Sequence, residues 1–216
     1  MITTTGLIYT HGWICLVEGA GENTIAHFQK SIRFIEEVKY FAILSTALTG
    51  LGWGYYLKGE METAQRYIEK GLKAQNESGI SFFLSTHHLA LSIIHYDFEY
   101  YEKAFKRIEE ALRLSQKNKE NHFEGYSKIW FGRILGKMKP SQTEKAEEFM
   151  VQGINILEDL MIKPWSTQGY LFLGELYTNT GQRDKAPENL KKAEHLFKEM
   201  GMDYWLAKTN EVMGSL

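Results

Sequence analysis

From Leu51 to Leu72 the chain reads LGWGYYLKGEMETAQRYIEKGL. With Gly50 just ahead of it, glycine alternates at Gly50, Gly52 and Gly54 around Trp53, which raises a phosphate-cradling loop as one reading. Such a loop needs a strand before it, a helix N-terminus after it and normally a lysine for the phosphates. GAGENT at Gly19 to Thr24 has only two glycines and no following lysine, and there none of these is present. The second half of the stretch is more informative. Ala64, Ile68 and Leu72 fall on one helical face while Glu62, Arg66 and Glu69 lie off it, the pattern of an amphipathic surface helix.

That helix recurs. Small residues stand at Thr24, Ala64, Ala104, Ala146 and Ala186, spaced 40, 40, 42 and 40. Four residues later come Phe28, Ile68, Ile108, Met150 and Leu190, and three after those Ser31, Gly71, Ala111, Gly153 and Ala193. A second series precedes it at Gly12, Gly52, Ser92, Gly132 and Gly174, and turns such as KGEM and TGQR stand between the two. With three prolines (Pro140, Pro164, Pro187) and no sustained alternation of β-branched and polar residues, the chain is expected to be helical nearly throughout. The extra two residues of the fourth unit fall in a turn, after which Ser141 to Glu144 is expected to restart the helix as a capping box.

On these residues the chain resembles the tetratricopeptide repeat, whose W-x2-L-G-x2-Y…A-x3-F pattern is answered by Leu51-Gly52-x2-Tyr55…Ala64-x3-Ile68 and by Leu173-Gly174-x2-Tyr177…Ala186-x3-Leu190. The units depart from the family in a period near 40 rather than 34 and in lacking its terminal proline. The resemblance implies an all-α, right-handed superhelical solenoid of about five helix-turn-helix units, at about 4–40, 41–79, 80–119, 120–162 and 163–200, closed by a capping helix at 202–214. It also implies a non-enzymatic module that binds a protein or peptide. Long-period units of this kind look similar to the C-terminal repeats of bacterial signalling proteins, namely class III nucleotide cyclases with an ATPase module and large ATP-dependent transcription activators.

In the family the first helix of each pair lines a concave groove, and counting from the L-G glycine carries that groove onto Tyr9, Trp13, Thr49, Trp53, Tyr56, Leu89, Ile93, Tyr96, Tyr126, Arg133 and Lys137. Trp13 and Trp53, one period apart, are either an aromatic clamp for the ligand or packing against the next unit. Arg133 and Lys137 would meet an acidic group. His87, His88 and His95 share one expected helix and are the residues on which a metal-binding, small-molecule or enzymatic alternative would rest. They coincide with core places of the repeat, as do His11 and Cys15, whereas His27, His122 and His195 are expected at the surface. No catalytic residue, metal or cofactor is assigned.

Composition excludes other classes. The formal charge of −2, from 25 Lys+Arg against 27 Asp+Glu, carries no basic stripe for nucleic acid. No run of about 18 apolar residues would span a membrane. The single Cys15 allows no disulfide within the chain, and the start has no basic leader, so a cytoplasmic protein is expected. Asn76-Glu77-Ser78 is then an inert glycosylation sequon. Exposed faces of the end units leave self-association into a homodimer as a further alternative.

Overall fold

The computed structural model of the chain describes residues 2–182 and 184–216, with side chains from Gly6 onward. Among the described residues the chain forms helices and no strand. They run in pairs: α1 (Ile2–Glu18) with α2 (Gly21–Val38), α3 (Leu44–Leu57) with α4 (Met61–Ser78), α5 (Leu84–Asp97) with α6 (Tyr101–Asn118), α7 (Asn121–Met138) with α8 (Thr143–Asp159), and α9 (Lys163–Asn179) with α10 (Ala186–Glu199). A last helix, α11 (Asp203–Met213), packs on α10 and α9.

Helix termination sets the pitch of the array. The backbone turns left-handed at Gly19, Lys39, Gly59, Gly79, Glu99, Lys119, Met161, Gly181 and Gly201, so helices end about every twenty residues. At most of these ends the following N–H reaches five residues back, as in Tyr40 to the Ile35 carbonyl at 3.0 Å and Glu120 to the Ser115 carbonyl at 2.8 Å. This satisfies carbonyls that the helix leaves open. The end of α7 differs. Lys139 is extended and Pro140–Gln142 form a 3-10 turn before α8 begins at Thr143. The expected capping box is therefore absent: no side chain caps α8, and the Thr143 hydroxyl donates back to the Pro140 carbonyl at 2.7 Å. Pro164 and Pro187 sit in first turns, where no N–H is missed.

Two faces of the first helices α3, α5, α7 and α9 are filled. Toward its own second helix it presents the small series, so that a Cβ on Gly52 would lie 2.9 Å from the Ala64 carbonyl. Toward the preceding unit it presents the places five and two before and two after that series. These are Ala47, Gly50 and Gly54 in α3, His87, Ala90 and Ile94 in α5, Ser127, Trp130 and Ile134 in α7, and Gly169, Phe172 and Leu176 in α9, all buried. Gly50 and Gly54 are thus explained. A Cβ on Gly50 would run into the Phe28 ring of α2, and one on Gly54 would lie 2.8 Å from Ile25 and 3.0 Å from its backbone nitrogen.

His87 belongs to this packing. It is fully buried between α3 and α5, with the Thr49 hydroxyl 2.6 Å from its Nδ1. Burial, with His88 beside it, pushes its pKa down to about 3. His88 is pushed to about 4 by burial and by Arg107, whose guanidinium lies 3.3 Å from its Nδ1. Two expectations for this class of residue need correction. His11 is exposed against His27 rather than in the core, because among the described residues no second helix packs on that side of α1, and Cys15 is only half-buried for the same reason.

Substituting Gly50→Ala should destabilise the array by roughly 1 to 3 kcal/mol through overpacking on Phe28. Met161→Gly, at an exposed left-handed position, should stabilise by about 1 kcal/mol; urea unfolding reads both. The histidines set an acid limit. Both titrate near 6.5 when unfolded, so below that pH the unfolded chain binds more protons and stability falls as the pH drops toward about 3. The loss from His87 alone should reach about 3 kcal/mol near pH 4. Urea midpoints between about pH 7 and about pH 4 should decline less steeply in His87→Leu, and equal slopes would remove His87 as the cause.

Candidate functional site: a tryptophan-walled concave chamber

The first helices line the inside of the superhelix, and there the five tryptophans of the chain meet. Trp13 of α1, Trp53 of α3, Trp130 of α7, Trp165 of α9 and Trp205 of α11 all stand on the wall of one chamber, with Leu89 and Ile93 of α5 between them. Rings pack edge to face, as Trp53 on Tyr56 with centroids 5.3 Å apart, or stack, as Trp165 on Tyr126 at 4.8 Å. Such pairings follow the ring quadrupole and stiffen the wall. Free space in the chamber is about 60 Å³, whereas the cavity that adjoins it at Tyr56 and Trp205 holds about 390 Å³, and a third, which meets the second at Arg133, Phe172 and Glu175, about 330 Å³.

The wall is apolar with a few placed polar groups. The Tyr126 hydroxyl donates to Gln168 Oε1, and burial pushes Tyr126 up to about 12. Trp130 is 1% exposed, and its Nε1–H, like that of Trp205, is buried without a hydrogen-bond partner among the described residues. Two orphan donors on an apolar wall are costly unless something accepts from them.

Beside the chamber lies a charged corner shared by both larger cavities. The Arg133 guanidinium sits 3.9 Å from the Phe172 ring centroid, 4.7 Å from that of Trp130 and 4.9 Å from that of Tyr96, and pairs with Glu175 at 2.9 Å. Burial works against its charge, but Glu175, Tyr96, Asp97 and Tyr56 outweigh burial and hold its pKa above the ordinary arginine value. The Asp97 carboxyl is raised as well, by desolvation, which for an acid disfavours the charged form.

Of the residues carried over from the repeat pattern, Trp13, Trp53, Tyr56, Leu89, Ile93 and Tyr126 stand on the chamber wall. Tyr96, Arg133 and Lys137 stand on the 330 Å³ cavity. The Arg133 fork is already engaged by Glu175, so an incoming acid would have to compete with that pair. Tyr9 and Thr49 are not on any of these walls. The Tyr9 hydroxyl donates to Thr46 at 2.8 Å and Thr49 is buried on His87. His87, His88 and His95 do not converge, and among the described residues no group of three or more His, Cys, Asp or Glu could hold a metal ion. His122 is half-buried rather than at the surface, its ring stacked on Trp165. No helix of the described residues is long and apolar enough to cross a membrane.

Counting missed Phe123, Trp130, Trp165 and Trp205. Three of them belong to a further series, nine residues before the small one: Ile43, Phe83, Phe123, Trp165 and Trp205, again spaced 40, 40, 42 and 40. Trp205 falls in it because α11 occupies the place of a sixth first helix. Its neighbour Tyr204 reaches the start of the array, where a Cβ on Gly19 would lie 2.6 Å from Tyr204 Cβ. That contact brings Trp205 opposite Trp13.

A family model for anaphase-promoting complex subunit 5 matches residues 55–138, and a tetratricopeptide repeat model matches residues 167–196. No curated protein matches the sequence. Among solved structures, the chain is similar to a Rap protein complexed with competence and sporulation factor at TM-score 0.75 and 17% identity, over 94% of this chain and 56% of that one. It is similar to the Rap conjugation gene regulator of plasmid pLS20 in complex with the Phr* peptide at TM-score 0.69 and 16% identity, over 97% of this chain and 62% of that one. BtubC (BKLC) from P. vanneervenii gives TM-score 0.63 and 19% identity, over 90% and 80%. Against the two Rap proteins the chain spans little more than half of their length, and the likeness to all three is one of fold. The molecule is a solenoid of the tetratricopeptide type.

Proposed function

We propose that the chain is a single repeat domain that acts as a non-enzymatic interaction module, taking a peptide or an extended segment of a partner protein along its concave side in a signalling context. The observation that carries this is the convergence of five tryptophans, from five helices spread over nearly the whole sequence, on one chamber. A core needs no such selection, whereas tryptophan and tyrosine dominate binding hot spots. The neighbour whose structure holds the Phr* peptide supports a peptide as ligand. An apolar side chain would enter the chamber while flanking polar residues lie over the charged corner at Arg133, Glu175 and Asp97. A regulatory or sensory role fits a binder without chemistry of its own.

Selection of short peptides from a displayed random library on the immobilised chain tests this. Enriched peptides, resynthesised and titrated by calorimetry, should lose at least about tenfold in affinity, or about 1.4 kcal/mol, against Trp53→Ala and Trp165→Ala. Both variants should keep a cooperative thermal transition. If nothing is enriched, or the folded variants bind as the wild type does, the chamber is not where partners are read.

A further inference from the structure

Charge on the concave side does not balance, and the remainder is a single carboxylate. The charged side chains on the wall of the 390 Å³ cavity are Asp97, Arg133, Glu175, Lys208 and Glu211. Four of them close on one another, Arg133 with Glu175 at 2.9 Å and Lys208 with Glu211 at 3.6 Å. Asp97 is left over, and among the described residues it makes no ion pair. Its place gives the charge no structural reason. Asp97 is the last residue of α5, where the helix dipole disfavours an acid. Desolvation raises its carboxyl and Glu175 adds to this, against the pull of Tyr56, Arg133 and Lys208. The side chain is nonetheless exposed, so a ligand in the cavity can reach it.

The walls around Asp97 suit a cation. Tyr56, Phe172, Tyr204 and Trp205 line the same cavity, and the faces of such rings attract positive charge. The molecule already uses this wall for a cation of its own, since the Arg133 guanidinium lies 3.9 Å from the Phe172 ring centroid. Tyr56 and Trp205 also stand on the chamber wall, so the cavity opens directly beside the place for an apolar side chain. We infer that Asp97 selects the ligand by taking a cationic nitrogen of the bound peptide, from a lysine or arginine side chain or from its amino terminus, beside the apolar side chain held in the chamber. This rests on the reading of the concave side as a peptide site and gives that peptide its chemistry, a basic group next to an apolar residue. An acidic group is not the fit, because among the described residues the bases on this cavity, Arg133 and Lys208, are each closed by a carboxylate.

The probe is a set of random peptides displayed with free amino termini and selected on the immobilised full chain, the enriched ones being resynthesised and titrated by calorimetry. They should share a lysine or arginine at a fixed distance from an aromatic or aliphatic residue, or bind only while the amino terminus is free. Replacing that basic residue by glutamine, or acetylating the terminus where no basic residue is shared, should weaken binding about tenfold, and the two arms tell which source supplies the charge. Asp97→Asn should cost the same factor, and the protein and peptide changes together should cost no more than either alone, as a direct contact requires. The variant should melt at or slightly above the wild-type temperature, because a neutral group then replaces an acid at a helix C-terminus. Peptides that lose affinity with Trp53→Ala but not with Asp97→Asn leave the chamber reading standing and overturn this one. It is overturned equally by enriched peptides with an acid at the shared place, by losses that add, or by an Asp97→Asn chain that melts far below the wild type. If nothing is enriched, both readings fall together.

Discussion

How closely two helices of a unit can approach is the constraint on which this molecule is built. At Gly52, Gly71, Gly132 and Gly153 a single added carbon would press on a carbonyl oxygen of the partner helix. The one place of the first-helix series that is not glycine shows the rule. Ser92 keeps its side chain by donating its hydroxyl to the Ala104 carbonyl at 2.9 Å, turning the crowding into a hydrogen bond. Close approach lets Ile68, Ile108, Met150 and Leu190 fill the space between units with no surface left in water. A helix pair with one such face cannot stand alone, so stacking follows.

Much of this could be read from the chain, because a constraint on size repeats wherever the geometry repeats. The small, large, small triplet at Ala64, Ile68 and Gly71 announced the second helices, and the L-G glycine announced the first. Helix ends were less legible. Left-handed caps at Lys39, Glu99, Lys119 and Met161 carry no glycine, so the local sequence gives no sign of a conformation that tertiary packing imposes. Ser141 to Glu144 misled in the opposite way, since Pro140 diverts the chain into a 3-10 turn before the hydroxyl can cap.

The chamber was legible in part for a related reason. Trp13 and Trp53 follow from counting within a unit. Trp130 does not, because its place faces the preceding unit and is occupied elsewhere by residues as small as Gly50 and Ala90. That a face made for stacking also reaches the concave side depends on the bulk of indole. Thr49 shows the converse, a groove place by counting that is drawn into the core by a hydrogen-bonding histidine one unit later.

The contact between Tyr204 and Gly19 has a consequence for evolution rather than for binding. Open solenoids tolerate gain or loss of a unit, because each unit meets only its neighbours. Here the last helix also meets the first turn, and inserting or deleting one pair would carry Tyr204 past or short of Gly19. The number of units between Gly19 and Tyr204 is therefore counted by that contact, and a lineage that added or removed a pair among them would have to rebuild both sides of it at once.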